Sequence, residues 1–281
     1  MRKELRVLRV NRKVRVPPFN NTFLKVFTRA IVRKPGLNFA EGLTTSDLGK
    51  PDFNKALTQH EAYCNALEAC GLRVTVLDAD NEFPDSTFVE DTAVVIGNLV
   101  VLARPGAASR AGEVDRIRNS ICENFERVVE ITAPGTLDGG DVCHCDDQFL
   151  IGISNRTNED GARQLARFIE HEGHSGVFVD IRRRRDILHL KSGIAHLGDR
   201  DLVVWEELAD LAQFRGYNLL RVPSSEHYAA NCVRVNQSVL VAKGFSAVEK
   251  QIERAGYRAL PLDVSEFEKM DGDLSCLSLR F

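Results

Sequence analysis

The chain has 281 residues, 27% of them charged, with a formal net charge of -3. That length can bury a sizeable core, in one large domain or two small ones. The near-balanced charge argues against a whole-surface nucleic-acid binder, and no apolar run is long enough to span a bilayer or to open a secretory signal. The first stretch, "MRKELRVLRVNRKVRVPPFNN", carries five Arg and two Lys against one Glu before a Pro-Pro break. Residues 1–24 are therefore expected to form a basic leader outside a single domain covering 25–281.

The domain's first strand is expected in "KVFTRAIVR". Pro51 opens a helix in "PDFNKALTQHEAYCNALEAC", Gly71 closes it, and "LRVTVLD" follows as a strand. In "STFVEDTAVVIGNLVVLARP" two β-rich runs flank Gly97-Asn98, a hairpin signal. A helix over "SRAGEVDRIRNSICENF", with Ile117, Ile121 and Phe125 on one face, then leads to the strand "RVVEITA". The same order recurs in "VCHCDDQFLIGI", "TNEDGARQLARFIEHEG" and "GVFVDIR". A third pass gives "IAHLGDRDLVVW", a short helix "EELADLAQF", and "YNLLRVP". The fourth is "NCVRVNQSVLVAK", "SAVEKQIERAG" and "YRALPLD". Units of this kind bury their faces against one another. The last strand, "LSCLSLR", can pair with the first and complete a fifth unit. The expected fold is α/β, a ring of five ββαβ units closed by both chain ends; the same elements also permit an open mixed sheet.

Between each unit's third strand and the next hairpin lies a connector, and the connectors hold the unusual residues. They read "NEFPDSTFVED", "APGTLDGGD", "RRRRDILHLKSG", "PSSEHYAAN" and "VSEFEKMDGDLSC". If the units are related by rotation, all five meet at one end of the ring, bringing Asp85, Glu90, Asp91, Asp138, His189 and Cys276 together. Cys276 is a candidate nucleophile and His189 the natural proton carrier. Carboxylates around a thiol discourage the thiolate unless the substrate is itself a cation. A guanidinium fits, because its forked donors suit several carboxylates and its charge favours the thiolate. Taken singly, these residues have plainer readings: a core cysteine, a buried imidazole, a turn-capping aspartate, a glycine-rich loop.

"FPDSTFVED", "RPGAASR", "APGTLDGGD", "HLKSG" and "DGDLSCLSLRF" resemble, in this order, the dimethylarginine dimethylaminohydrolases of the guanidino-modifying pentein superfamily. The resemblance runs from about Phe27 to Phe281 and implies a five-bladed α/β propeller. It also implies that Cys276 is the nucleophile, His189 the general acid/base and Asp138 the carboxylate oriented with it; some relatives carry Glu there. Asp85 and Asp91 match positions gripping the guanidinium, with Glu90 nearby and Phe88 lining the pocket. Arg110 and Arg156 match clamps for the substrate α-carboxylate, and Leu43 matches a lid-loop position whose backbone reaches the α-amino group. The implied reaction hydrolyses asymmetric dimethylarginine or monomethylarginine to citrulline. An arginine deiminase is the nearest rival, but such relatives carry an acidic residue two positions after the catalytic His, where this chain has Lys191. A non-catalytic guanidino-binding module is the rival from another class.

The remaining motifs point to no further ligand. Strand alternation in "VCHCDD" puts Cys143 and Cys145 on one face and His144 on the other, which disfavours a structural zinc. "RRRR" at Arg182–Arg185 reads as a solvated connector. No phosphate-cradling glycine loop appears, so neither cofactor nor metal is expected. Seven cysteines without a disulfide rhythm read as reduced thiols, hence a cytoplasmic setting. The partners expected are a small guanidino substrate and a second copy of the chain, with no nucleic acid and no membrane.

Overall fold

The computed structural model describes residues 26–184 and 186–281. The basic leader expected at 1–24 lies outside the described residues, as does Arg185 of the arginine run. The described residues form five three-stranded sheets. In the second blade, Ala93–Ile96 and Leu99–Leu102 make an antiparallel hairpin, and Arg127–Glu130 joins parallel to Leu99–Leu102. The third blade repeats this with Val142–Cys145, Gln148–Ile153 and Ser175–Asp180. The fourth uses Ile194–Gly198, Asp201–Trp205 and Asn218–Val222, and the fifth Val233–Val235, Ser238–Ala242 and Arg258–Leu262. Hairpins this tight need a left-handed residue. Gly97 (φ 57°), Asp146 (φ 54°) and Asn236 (φ 56°) supply it, residue types that tolerate that region.

The first blade draws on both chain ends. Arg29–Arg33 pairs in parallel with Arg73–Leu77 and antiparallel with Leu279–Arg280, in the register Ala30 to Arg280 and Ile31 to Leu279. Asn236 of the fifth blade fastens this junction: its amide accepts from Phe27 N at 2.9 Å and donates to Cys70 O at 2.9 Å. A cavity of about 220 Å³ is lined by residues from the inner strand of every blade, among them Val94, Cys143, Ala195, Val233 and Leu279. These strands therefore surround one axis, and the fold is a five-bladed propeller with a central channel.

Helices cross outside the sheets: Phe53–Ala69, Glu113–Cys122, Glu159–His171 and Ser246–Arg254. Asp52 and Asn158 cap two of them by accepting from Lys55 N and Gly161 N, each at 2.8 Å. Ile117, Ile121, Leu165, Ile169 and Ile252 are buried from the helix side. Each such side chain contributes about 1.5–3 kcal/mol against exposure.

Two expectations are corrected. "EELADLAQF" is not an α-helix; the run 206–217 carries only a 3₁₀ turn, Ala212–Phe214, before Gly216 at φ 95°. That run is too short to rise the length of a sheet as full helical turns and return. "LSCLSLR" is not one strand either. Ser275–Leu277 is a 3₁₀ turn and only Leu279–Arg280 pairs, so Cys276 sits on a turn above the strand.

Candidate active site

Every connector into an inner strand tightens into 3₁₀ turns: Pro84–Thr87 and Val89–Thr92, Gly139–Asp141, Leu190–Ser192, Ser224–Ala230, and Ser275–Leu277. The Val89–Thr92 turn packs against both Ser275–Leu277 and Gly139–Asp141, and the latter packs against Leu190–Ser192. Glycine allows this closeness. A Cβ on Gly140 would lie 2.7 Å from Asp91 Oδ1 and from His189 Nδ1. The six residues expected to converge are all buried at this end of the ring: Asp85, Glu90, Asp91, Asp138, His189 and Cys276.

His189 Nε2 stands 3.1 Å from Asp138 Oδ2, and Nδ1 is 3.9 Å from Asp91 Oδ1. Asp138 Oδ1 accepts from Gly106 N at 2.9 Å, which fixes the carboxylate. Burial opposes charging His189, but Asp91, the Asp138 bond and Asp141 outweigh it and push its pKa up to about 9. Asp91 accepts from Gly140 N at 2.9 Å and Arg110 Nη1 at 2.6 Å. Burial raises its pKa, yet His189 and Arg110 prevail and hold it at about 2. Asp85 accepts from Leu43 N with both oxygens at 3.1 Å, and burial pushes its pKa up.

Cys276 is 7% exposed, and its N–H donates to Asp273 O at 3.2 Å. Its thiol pKa is driven well up, by burial first and then by Asp273, Asp91 and Glu90. It belongs to an apolar cluster with Phe88, Phe267, Met270 and Leu274. Phe88 is held by a tilted contact with Phe39 and an edge-on contact with Phe267, at ring-centroid distances of 6.0 and 6.3 Å.

Other matched positions differ in how free they are. Glu90 is spent on the channel side: it accepts from Ser275 Oγ at 2.6 Å and Arg280 Nη2 at 3.0 Å, and Lys191 Nζ is 2.7 Å away. Arg156 Nη1 lies 3.8 Å from Asp138 Oδ2 and has no hydrogen-bond partner among the described residues. Arg110 is engaged throughout, donating to Asp91, to Glu113 at 2.8–3.1 Å, and to the Phe88 and Asp85 carbonyls. In this arrangement Arg110 braces the connector from within. Arg110→Ala should therefore cost about 3–5 kcal/mol in urea unfolding, because two buried carboxylates lose their counter-ion. A clamp with no bracing role would raise KM and leave the unfolding midpoint unchanged.

A second cavity, about 900 Å³, opens beside this cluster between the loop residues Thr45, Asp47 and Leu48 and the walls Leu188, Ser192, Tyr228 and Asp273. The loop is strapped down by Thr44 Oγ1 donating to Lys269 O at 2.9 Å and Thr45 Oγ1 to Asp271 Oδ2 at 3.0 Å. Leu188 of that wall adjoins His189 in the chain, and Asp273 stands three residues before Cys276. Sequence reasoning missed Asp141, whose oxygens accept from Leu190 N at 2.9 Å and Ser154 Oγ at 2.6 Å and so position the His189 connector. It also passed over Asp273; the acids flanking glycine in "DGGD" and "DGD" were the available signal.

The other motifs resolve locally. Cys143 and Cys145 Sγ are 3.7 Å apart, while His144 stacks on Phe149 at 4.1 Å. Asp91, Asp138 and His189 could together offer ligand atoms to a metal ion; the His189–Asp138 hydrogen bond, with Asp91 3.9 Å from the other ring nitrogen, serves equally as an acid–base set. Arg182 pairs with Asp180 at 2.5 Å on the surface. Among the described residues no helix is long and apolar enough to cross a membrane.

A propeller whose connectors deliver thiol, imidazole and carboxylates to one end defines a pentein-type hydrolase. The family model described as N,N dimethylarginine dimethylhydrolase, eukaryotic, matches residues 49–276. The N(G),N(G)-dimethylarginine dimethylaminohydrolase of Pseudomonas aeruginosa is 42% identical over 91% of this chain and 100% of its own length. A crystal structure of the Pseudomonas aeruginosa protein, a Cys-to-Ser mutant complexed with citrulline, superposes with TM-score 0.89 at 41% identity, covering 92% of this chain and 100% of that one. The N-terminal domain of ArgZ, an arginine dihydrolase, shares the fold at 19% identity and TM-score 0.80, covering 90% of this chain and 97% of that one. The chain belongs to the dimethylarginine dimethylaminohydrolase family.

Proposed function

We propose that this protein hydrolyses asymmetric dimethylarginine and monomethylarginine to citrulline, releasing dimethylamine or methylamine, through a covalent thiouronium on Cys276. The observation that carries this reading is a buried thiol among carboxylates, an unfavourable place for a lone thiolate and a favourable one for a planar cation. Family membership supports it. The Pseudomonas relative carries this activity in its name, and its mutant binds citrulline, the product expected here.

The substrate cation displaces the thiol proton to solvent, and sulfur bonds to the guanidinium carbon. His189, charged at neutral pH, protonates the methylated nitrogen as its bond to carbon breaks, leaving the thiouronium. Neutral His189 then takes a proton from water as its oxygen adds to that carbon. The carbon–sulfur bond breaks, citrulline leaves, and the thiol regains a proton. Asp138 keeps the imidazole oriented, and Asp85 and Asp91 accept the remaining guanidinium N–H groups. Arg156, whose Nη1 makes no hydrogen bond among the described residues, clamps the α-carboxylate, while Arg110 acts by holding Asp91 in place. Phe88 supplies an apolar wall, and the Leu43 loop closes over the α-amino group.

The deiminase reading needs an acceptor where Lys191 stands, and that ammonium is paired with Glu90. Citrulline release from arginine, monomethylarginine and asymmetric dimethylarginine, with Cys276→Ala as control, tests all three readings. Methylated substrates are expected to lead. Faster turnover of arginine with ammonia would favour the deiminase, and stoichiometric binding without citrulline the binding module. Seven free cysteines support a reducing, cytoplasmic location.

A further inference from the structure

Asp273 is a carboxylic acid that the catalytic scheme leaves unused. It is 5% exposed, lies three residues before Cys276, and lines the 900 Å³ cavity. Its backbone carbonyl accepts the Cys276 N–H at 3.2 Å, which ties the two residues into one turn. Ser192, on the turn that follows His189, lines the same cavity, and its hydroxyl and the His189 charge both work against the burial of the Asp273 carboxyl. Of the carboxylates around Cys276, it opposes the thiol's ionisation most strongly, ahead of Asp91 and Glu90. Burial pushes its own pKa up to about 8, so a cationic substrate arriving beside it would draw out its charge. The other walls near the thiol are apolar: Phe88, Met270 and Leu274.

A nitrogen leaving from the guanidinium carbon must depart on the side of His189, which donates its proton. We infer that Asp273 is a specificity-determining residue that accepts an N–H from this departing nitrogen, so that the site is best matched by one methyl group and one N–H there. This rests on the hydrolase reading above. Monomethylarginine offers one N–H and one methyl. Asymmetric dimethylarginine offers two methyl groups and leaves the Asp273 carboxyl facing carbon, without the N–H it would accept. Arginine offers N–H groups but nothing for the Phe88–Met270–Leu274 wall.

The test compares kcat/KM for monomethylarginine and asymmetric dimethylarginine in the unaltered protein, Asp273→Asn and Asp273→Ala, with unfolding midpoints measured alongside. Removing the Asp273 charge also eases thiol ionisation, but that change falls equally on both substrates and cancels in their ratio. The unaltered protein should favour the monomethyl substrate by about tenfold or more, the worth of one charge-assisted hydrogen bond. Both variants should bring the ratio close to unity. A ratio near unity in the unaltered protein overturns the inference even if neither variant folds, and so does an equal fall on both substrates. No citrulline from either substrate would overturn the hydrolase reading itself; citrulline from both with an indifferent ratio removes only the role of Asp273.

Discussion

Cys276→Ala takes citrulline formation from asymmetric dimethylarginine down by at least about 10⁴-fold, the order expected when a covalent nucleophile is deleted. No neighbouring thiol can substitute. Cys232 and Cys64 are buried, with their pKa values pushed up to about 12 and about 11. Cys143 and Cys145 face the central channel and the blade core. Binding should survive, because the groups proposed to hold the cation and the α-carboxylate are other side chains. Mass spectrometry of enzyme quenched during turnover should show a thiouronium on the peptide containing Cys276 and none in the variant. Undiminished turnover by Cys276→Ala, or an adduct on another cysteine, would end the covalent reading.

His189→Ala should lower kcat by about 10²–10⁴-fold with little change in KM, since the imidazole moves protons and does not hold the ground-state cation. The unaltered protein should also lose activity as pH rises through about 9, where the imidazolium that protonates the leaving amine disappears. The same group gives a stability signature. Its pKa is raised in the folded protein from 6.5 to about 9, so its contribution is fully present below 6.5 and is lost as pH climbs through 9. The difference in unfolding free energy between the unaltered protein and His189→Ala should therefore shrink between pH 7 and pH 9.5. A difference that grows over that range would contradict the assignment of charge to His189.

The repeat was legible in the residues because each hairpin advertises itself locally. Gly97, Asp146 and Asn236 sit where a left-handed turn is needed, between runs of β-branched residues. The helix "EELADLAQF" misled because its apolar spacing suits a helix, whereas the length available between Trp205 and Asn218 decides against one. The terminal "LSCLSLR" misled in the same way. Its alternation is that of a strand, but Ser275 and Cys276 are pulled into a turn by Glu90 and Asn231, which bond Ser275 Oγ at 2.6 Å and Ser275 N at 2.9 Å.

The placement of Cys276, His189 and Asp138 at one end of a ring followed from the order of elements alone, since rotationally related units put equivalent connectors on the same side. What each polar group is free to do followed only from tertiary structure. Arg110 and Arg156 read alike as guanidinium groups, yet one is surrounded by Asp91, Glu113 and two carbonyls and the other has an Nη1 that makes no hydrogen bond among the described residues. Asp273 took no role from the sequence, and it is buried three residues before the thiol, lining one cavity with Ser192. Local patterning is set by bonds between near neighbours in the chain. Charge, proton affinity and availability are set by burial and by partners far away in sequence, which become neighbours only once the ring has closed.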